Sequence, residues 1–312
     1  MLIDSLEPEH NRTICIAGAS GFLGKATMDA FTKRGFNVIA LTRLESKSIV
    51  RLHNEQVEEF KGTVDDWIEV IQNRNPQTVF SFDWEGVESG SRNDQALQNS
   101  NVIRIGQLAE ASRLSGVANF ISFGSQAEVQ PSTDPILETV EDNPQSFYGE
   151  AKVKARNEIM DLLSGSKTRF LWGRIFTIYG PGDSRDSLVT QLVNAMLRNE
   201  NFTLKQPNKK WSFLEVTDYL EAILLLHGDS TTAGIVNIGN PDSTKIGELA
   251  EEIATKFGTP QNIEKLQDLE DLENQMSWIP DTSALSRLSW KPQVELGVGI
   301  ENVIRWWKQL PS

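Results

Sequence analysis

Short apolar runs alternate along the first half of the chain with longer segments whose apolar positions recur at helical spacing. The longer segments predict helices at Phe22–Arg34, from about Asp94 to Ser115, and from Tyr148 to about Leu163. The apolar runs predict buried strands at Thr13–Ala17, Asn37–Leu41, Thr78–Phe82, Asn119–Phe123 and Arg169–Trp172. Strands that alternate with helices pair in parallel, so the pattern predicts an α/β fold with a doubly wound parallel sheet. Ligands of such sheets bind at the carboxyl ends of the strands.

The alternation loosens after about residue 175, where proline and glycine interrupt the chain at Gly180–Gly182 and Trp290–Pro292. We therefore predict a sheet domain over residues 1–175 and a smaller, mixed α/β C-terminal domain over 176–312, with some segments returning to the sheet. Within that second part, amphipathic patterns predict helices at Ile246–Phe257 and Gly299–Leu310. No apolar run approaches the roughly 20 residues of a membrane span, and no secretory signal is seen, so we expect a cytoplasmic protein without a membrane partner.

The charge and the cysteine content limit which kinds of partner and which metal sites are expected. The chain has 43 acidic and 30 basic residues and a formal net charge of -13, which argues against a nucleic-acid partner because phosphate backbones require basic surfaces. The single cysteine, Cys15, lies in an apolar run and excludes an internal disulfide and a cysteine-rich metal site. No metal is predicted, and the acidic stretch Glu264–Glu273 is expected to be a solvated helix face or a loop.

A glycine-rich segment directly follows the first predicted strand and opens the first helix. Gly18 permits a tight turn, Gly21 allows a pyrophosphate to approach the backbone, and Gly24 allows the helix to pack closely on the strand. The helix N-terminus adds free N–H groups and a positive dipole end. We predict a dinucleotide site with contacts from Gly18, Ser20, Gly21, Phe22, Leu23 and Gly24. The alternative is a glycine turn without a ligand.

The end of the second strand bears on the choice of nicotinamide cofactor. NAD sites carry an acidic residue there for the ribose 2′-hydroxyl, whereas this chain has Thr42 and Arg43. A hydroxyl and a guanidinium suit a 2′-phosphate, so we predict NADP, with NAD as the alternative and a solvated surface arginine as the other reading of Arg43. Val64 and Phe82 complete the predicted cofactor contacts.

Tyr148 and Lys152 stand at positions i and i+4 of a predicted helix and therefore project from one face. A phenol is a poor acid or base at neutral pH, and a neighbouring ammonium brings its pKa toward the working range. The lysine can also bond the nicotinamide ribose. Ser125 follows the strand ending at Phe123, where its hydroxyl can donate to a substrate carbonyl while Tyr148 moves the proton. The alternative for Ser125 is a loop serine that caps a turn.

These motifs, together with Arg174–Asp183 and Leu285–Pro292, resemble the NAD-dependent epimerase/dehydratase family. Its members are extended short-chain dehydrogenases/reductases with a Rossmann sheet that act on nucleotide sugars. The resemblance runs from Thr13 to Leu310. It implies that Ser125, Tyr148 and Lys152 are catalytic, that Tyr148 and Lys152 also contact the cofactor, and that the protein is a homodimer paired through helices of the sheet domain.

Differences between this sequence and the family pattern bear on which reaction of the family is expected. Dehydratases follow the catalytic serine or threonine with an aspartate and a glutamate, and Gln126 and Ala127 stand there instead. Thr42 and Arg43 favour an exchangeable NADP over the tightly held NAD of epimerases. The resemblance therefore implies an NADP(H)-dependent reductase of a nucleotide sugar of the 4-keto-6-deoxy type, with an epimerase using NAD(P) as the alternative. A reductase of a non-nucleotide carbonyl and a catalytically silent NADP sensor stay open.

The predicted substrate side departs further. Asp268–Trp278 lacks the arginine with which family members grip the substrate diphosphate. Thr177 replaces an asparagine, and Asp83 stands where the family has alanine beside the cofactor. We predict substrate contacts from Ser125, Thr177 and Lys210. Lys210 and its neighbour Lys209 either supply the missing positive charge or are solvated loop lysines.

Overall fold

The structure is a computed structural model, and it describes residues 12–46, 55–88, 90–266 and 276–309. Its helices are α1 (Phe22–Thr32), α2 (Val64–Arg74), α3 (Gln95–Leu114), α4 (Phe147–Leu163), α5 (Leu188–Leu197), α6 (Val216–Gly228), α7 (Ile246–Lys256), α8 (Ser283–Arg287) and α9 (Leu296–Gln309). Short 3₁₀ helices cover Gln126–Glu128 and Pro260–Asn262. Its strands are β1 (Thr13–Ala17), β2 (Asn37–Thr42), β3 (Val57–Lys61), β4 (Thr78–Ser81), β5 (Asn119–Ser125), β6 (Arg169–Ile175), β7 (Ile178–Tyr179), β8 (Phe202–Leu204), β9 (Lys210–Ser212), β10 (Leu214–Glu215), β11 (Gly234–Ile238), β12 (Ser243–Lys245) and β13 (Ile263–Lys265).

The central sheet of the described residues is parallel, with seven strands in the order β11-β6-β5-β4-β1-β2-β3. Strand β1 lies between β2 and β4, so the chain order reverses beside it and the carboxyl ends of β1 and β4 border a crevice. The buried apolar residues of the strands pack against helices on both faces. One face is covered by α1 and α6, and the other by α2, α3 and α4. The expected α/β doubly wound parallel sheet is confirmed.

The C-terminal part contains a separate apolar cluster. Helices α5, α7 and α9 contribute most of its buried side chains, and short strand pairs flank it. Strand β11 lies within this stretch of sequence and pairs with β6 in the central sheet. The division into domains at residue 175 stays a prediction.

Two neighbouring elements in the first half of the chain were not predicted from the sequence. Strand β3 has the sequence Val-Glu-Glu-Phe-Lys and lies at the sheet edge, where its polar residues reach solvent. Helix α2 follows it and begins at a capping box formed by Thr63 and Asp66. Of the acidic stretch Glu264–Glu273, residues 264 and 265 end strand β13, and 267–273 lie outside the described residues. No described helix is long and apolar enough to cross a bilayer.

Candidate active site

The glycine-rich turn joins β1 to α1 as its sequence predicts. Gly18 has a φ of +79°, and a Cβ there would lie 2.8 Å from the backbone nitrogen of Asp83, so only glycine fits. Helix α1 begins after Gly21 with no side chain capping its N-terminus. Its first N–H groups and dipole end therefore suit a dinucleotide phosphate, and the residues present fit the cofactor.

One cavity joins this turn to the predicted catalytic residues. Its wall is formed by the turn, by the segment after β4, by the end of β5 and by α4, which all meet at the carboxyl edge of the sheet. The lining residues are Gly18, Gly21, Phe22, Leu23, Gly24, Ser81, Phe82, Asp83, Trp84, Val87, Phe123, Gly124, Ser125, Tyr148, Lys152 and Ile175. Ser125, Tyr148 and Lys152 thus share a cavity with most of the predicted cofactor residues.

Tyr148 is 6% exposed, and its phenol lies beside the Ser125 side chain. The Ser125 hydroxyl also accepts from the Ala127 N–H, at 3.2 Å, which fixes it at the end of β5. Burial raises the pKa of Tyr148, and the Ser125 hydrogen bond and the positive charge of Arg92 act against that rise. The phenol therefore lies beside a hydroxyl donor and is protonated near neutral pH.

Lys152 is buried one helical turn from Tyr148. Its ammonium donates to the Phe123 carbonyl at 2.8 Å and lies 3.6 Å from the centre of the Trp84 ring. Burial lowers the pKa of Lys152 to about 7, while the charges of Glu128 and Asp83 oppose this shift. We expected Lys152 to lower the pKa of Tyr148. The Lys152 nitrogen is instead 5.8 Å from the centre of the Tyr148 ring. It lies closer to the Trp84 ring and to the Phe123 carbonyl, and it contacts these two groups.

A fully buried carboxylate supports the Ser125 loop from beneath. Glu128 accepts from the Ser125 backbone N–H at 2.7 Å and from the Trp172 indole at 3.0 Å. Arg156 and Arg174 pair with its other oxygen at 3.0 and 3.4 Å. These donors compensate the burial of the charge and hold the short 3₁₀ helix after Ser125 in place. This role of Glu128 is not predictable from the sequence, because its charged partners come from α4 and β6.

Arg43 lies in an ion-pair network that spans the end of β1. It bonds Asp83 at 2.6 Å and Glu85 at 3.0 Å, and Arg104 of α3 reaches the same two carboxylates at 2.5 and 3.1 Å. Asp83 is 4% exposed and lines the cavity. Each nitrogen of the Arg43 side chain already has a carboxylate partner, so a 2′-phosphate there must compete with Asp83 and Glu85.

The other predicted cofactor residues differ in placement. Phe82 lines the cavity, whereas Thr42 is fully buried and donates to Glu59 at 2.9 Å. Val64 opens α2 and is absent from the cavity lining. Ser20 is exposed and donates to Ser46 at 3.2 Å, in the loop after β2.

The predicted substrate residues Thr177 and Lys210 lie outside the described cavity lining. The Thr177 hydroxyl accepts from the Trp211 indole at 2.5 Å. Lys210 is exposed on β9, and the Lys209 ammonium lies 5.8 Å from the centre of the Trp211 ring. The segment Asp268–Trp278 falls mostly outside the described residues.

Sequence reasoning missed Trp84 and Arg92. Both lie in the loop between β4 and α3, where Trp84 contacts Lys152 and Arg92 contacts Tyr148. Trp84 is held by the amide oxygen of Gln98, which accepts its indole N–H at 2.9 Å. A tryptophan directly after a strand that ends at the ligand edge was an available signal, whereas Arg92 had none.

Comparison with known proteins agrees with this geometry. Residues 14–239 match the model of the NAD-dependent epimerase/dehydratase family. The chain therefore belongs to that family and is an enzyme of it.

Three relatives show the range of the similarity. The chain is 25% identical to a UDP-glucose 4-epimerase of Mycolicibacterium smegmatis, covering 94% of this chain and 97% of the relative. It is 20% identical to a dTDP-6-deoxy-L-talose 4-dehydrogenase (NAD(P)(+)) of Kitasatospora kifunensis, covering 90% and 91%. A solved UDP-glucuronic acid 4-epimerase of Bacillus cereus, in complex with UDP-glucuronic acid and NAD, shares the fold with a TM-score of 0.83 at 18% identity, covering 95% and 99%.

Proposed function

We propose that the chain is an NADP(H)-dependent oxidoreductase that reduces the keto group of a nucleotide sugar of the 4-keto-6-deoxy type. The observation that carries the proposal is that Tyr148 and Ser125 lie side by side in the cavity wall, where one can move a proton and the other can orient a carbonyl. Among the described lining residues, the other ionisable side chains are Lys152 and Asp83, and Asp83 is bound by two arginines. One proton donor beside a hydride donor is sufficient for carbonyl reduction.

The residues act in a simple order. Ser125 donates a hydrogen bond to the substrate carbonyl oxygen and orients it toward Tyr148. The hydride is supplied to the carbonyl carbon by a bound reduced nicotinamide. Tyr148 then delivers its proton to the oxygen, and the hydroxyl product forms. Lys152, fixed by the Phe123 carbonyl, lines the cavity and would hold the nicotinamide ribose of the bound cofactor.

The aspartate and glutamate that follow the serine or threonine in dehydratases of the family are absent after Ser125. Gln126 and Ala127 form the short 3₁₀ helix directly after Ser125, and neither side chain ionises. Removal of water from a sugar requires one group to protonate the leaving hydroxyl and another to remove a carbon-bound proton. This absence supports a reaction confined to one hydride and one proton at a single carbon–oxygen bond.

Epimerisation is the second candidate, and the full-length similarity to a UDP-glucose 4-epimerase favours it. It uses the same tyrosine twice, with the hydride returned to the opposite face of the sugar. The ion pairs that already occupy Arg43 also favour NAD, because NAD has no 2′-phosphate to compete for the guanidinium. We nevertheless propose NADP as the cofactor, because a guanidinium suits a 2′-phosphate, and Arg43 would then be shared between that phosphate and its two carboxylates.

A Tyr148→Phe variant tests the reaction, because it removes only the phenol oxygen. We expect turnover to fall by about 10²–10⁴-fold while dinucleotide binding persists. Ser125→Ala should cost less, since it removes one donor and no proton carrier, and Lys152→Met should also weaken the cofactor. The assay follows NADPH oxidation with a 4-keto-6-deoxy nucleotide sugar, alongside isotope exchange between nucleotide-sugar epimers.

Tyr179→Phe is the matched control, because it removes a phenol oxygen that bonds the Leu296 carbonyl outside the cavity. Equal turnover in wild type and Tyr148→Phe contradicts the proposed acid–base role. Isotope exchange without net NADPH consumption supports the epimerase. Turnover restricted to non-nucleotide carbonyls, or dinucleotide binding without any turnover, supports the other two alternatives.

We also propose that the chain forms a homodimer through α3 and α4. Both helices present exposed apolar side chains, at Ile103 and Leu114 on α3 and at Met160 on α4. The two helices pack against each other along one face of the sheet, so these side chains belong to one helical layer. Apolar side chains grouped on one face are typical of association surfaces.

A further inference from the structure

A cationic side chain outside the predicted catalytic set lies against Tyr148. The guanidinium carbon of Arg92 is 5.1 Å from the centre of the Tyr148 ring. The Arg92 carbonyl accepts the Tyr148 backbone N–H at 3.0 Å, so residue 92 also occupies one of the free donors at the start of α4. Arg92 Nε donates to the carbonyl of Val87, a cavity-lining residue, at 2.7 Å.

The loop that carries Arg92 is fixed to α3. Gln98, which is 1% exposed, donates from its amide nitrogen to the Gly86 and Ser91 carbonyls at 2.9 and 3.2 Å. The Asp94 side chain accepts from the Leu97 N–H and caps the same helix. The Val87 carbonyl thus holds the guanidinium beside the phenol, and Gln98 and Asp94 hold the loop that carries it.

We infer that Arg92 is a positioning residue that stabilises the phenolate of Tyr148 and so sets the pH range in which this tyrosine exchanges protons. The inference rests on the proposed function, because it assigns Tyr148 the proton-transfer step. A cation at this distance favours the charged form of the phenol by Coulomb attraction and by contact with the ring face. Arg92 takes the role that the sequence assigned to Lys152 alone.

Charged and polar groups from every neighbouring element bear on the same phenol. Ser125, from β5, stabilises the phenolate through its hydrogen bond, and Glu128, below β5, opposes ionisation. Lys152 lies further along α4 and is engaged with Trp84 and the Phe123 carbonyl. Arg92 is the positive charge that lowers the pKa of Tyr148 against its burial.

The sign of the effect follows from the direction of the reaction. In the reductive direction Tyr148 must be protonated, so turnover falls at high pH as the phenol ionises. In the oxidative direction the phenolate is required, so turnover rises with pH. Removing the Arg92 charge makes ionisation harder, so both transitions move to higher pH. We therefore expect removal of the charge to lower the oxidative rate at a pH on the rising limb, by an amount that solvent limits because the Arg92 side chain is exposed.

The experiment compares Arg92→Met and Arg92→Gln, which are neutral, with Arg92→Lys, which keeps the charge. All three retain the backbone carbonyl that accepts the Tyr148 N–H. Arg74→Met is the matched control, since Arg74 lies 5.5 Å from the Phe60 ring centre, away from the cavity. We expect the neutral variants to shift both pH profiles upward, Arg92→Lys to restore most of the shift, and the control to leave them unchanged.

A second measurement needs no substrate and so separates this inference from the proposed function. The chain has three tyrosines, and burial raises the pKa of Tyr179 and Tyr219 strongly. Ultraviolet difference titration, with Tyr148→Phe as the blank, therefore isolates Tyr148. A lower tyrosinate fraction at a given pH in the neutral variants supports the inference whatever the substrate is. Unchanged titration and pH profiles, or a uniform loss of turnover that lysine does not restore, overturn it.

Discussion

Arg43 shows how a residue that suits one ligand is also bound by neighbouring side chains. As a sequence feature it favours a 2′-phosphate, and in the structure Asp83 and Glu85 hold its guanidinium. Arg104 supplies both carboxylates with a second cation. The preference between NADP and NAD therefore does not depend on Arg43 alone. It depends on whether an Arg43–phosphate ion pair is more stable than the ion pairs of Arg43 with Asp83 and Glu85.

This competition gives two opposite predictions for cofactor choice. Arg43→Ala should weaken NADP by about tenfold or more and leave NAD nearly unchanged, because it removes a charge-assisted bond of about 1.5–3 kcal/mol. Asp83→Asn should strengthen NADP relative to NAD, since it frees Arg43 and removes a negative charge from the cavity wall. Calorimetric titration of both dinucleotides measures the ratio. A wild type that binds NAD as tightly as NADP would show that the NADP assignment is wrong.

Among single residues, the sequence predicts those that are identified by their near neighbours in the chain. Tyr148 and Lys152 are paired by helix periodicity, and Gly18 by the turn it must form. The contacts of Arg92, Trp84 and Glu128 were not predicted, because they join segments that are far apart in the chain. Nothing in the composition of a neighbourhood indicates that an arginine will lie over a tyrosine more than fifty residues away.

Among elements, the β1–α1 turn contains two glycines that packing requires, Gly18 and Gly24, and one that packing does not require, Gly21. A Cβ at Gly18 or Gly24 meets backbone atoms at close range, so these positions determine packing. Gly21 has a φ of -75°, and a Cβ there has only the Gly18 carbonyl within reach, at 3.4 Å. Folding therefore does not require a glycine at position 21. The space around its Cα suits a pyrophosphate.

Gly21→Val should consequently fold like the wild type and lose dinucleotide binding, because the branched side chain fills the space that the phosphates need. Gly18→Val is the matched contrast and should fail to fold, since its backbone lies in the left-handed region and its Cβ meets Asp83. Thermal unfolding reports the fold and equilibrium dialysis reports the dinucleotide. A folded Gly21→Val that binds the cofactor at wild-type affinity would remove the phosphate site from this turn.

The sequence also predicted most elements of the sheet domain, and the misses have a physical reason. Strands β1, β2, β4 and β5 are buried on both faces and so consist of near-continuous apolar runs. Strand β3 is the edge strand, and solvent allows it two glutamates and a lysine. Only the pairing with β2, which a sequence does not display, identifies it as a strand.

At the scale of the whole molecule, the sheet and its helical layers leave apolar side chains on the outer surface of α3. Ile103 is 65% exposed and Leu114 is 63% exposed, and both lie beside a shallow groove that Ile68 and Leu162 also line. In a two-fold symmetric dimer each substitution in the interface occurs twice, so a charge placed there acts twice. A single substitution in the proposed interface should therefore have a large effect on dimerisation.

Ile103→Glu should dissociate the homodimer or weaken it by at least about tenfold, because two carboxylates would be buried or brought together at the interface. Val298→Glu is the matched control, since Val298 is an apolar residue of α9, 50% exposed and distant in sequence from α3 and α4. Analytical ultracentrifugation over a range of protein concentrations measures the association of wild type and both variants. Circular dichroism verifies that Ile103→Glu keeps the fold, as expected for an exposed position. A monomeric wild type, or a dimer that tolerates Ile103→Glu as well as it tolerates Val298→Glu, would contradict pairing through α3.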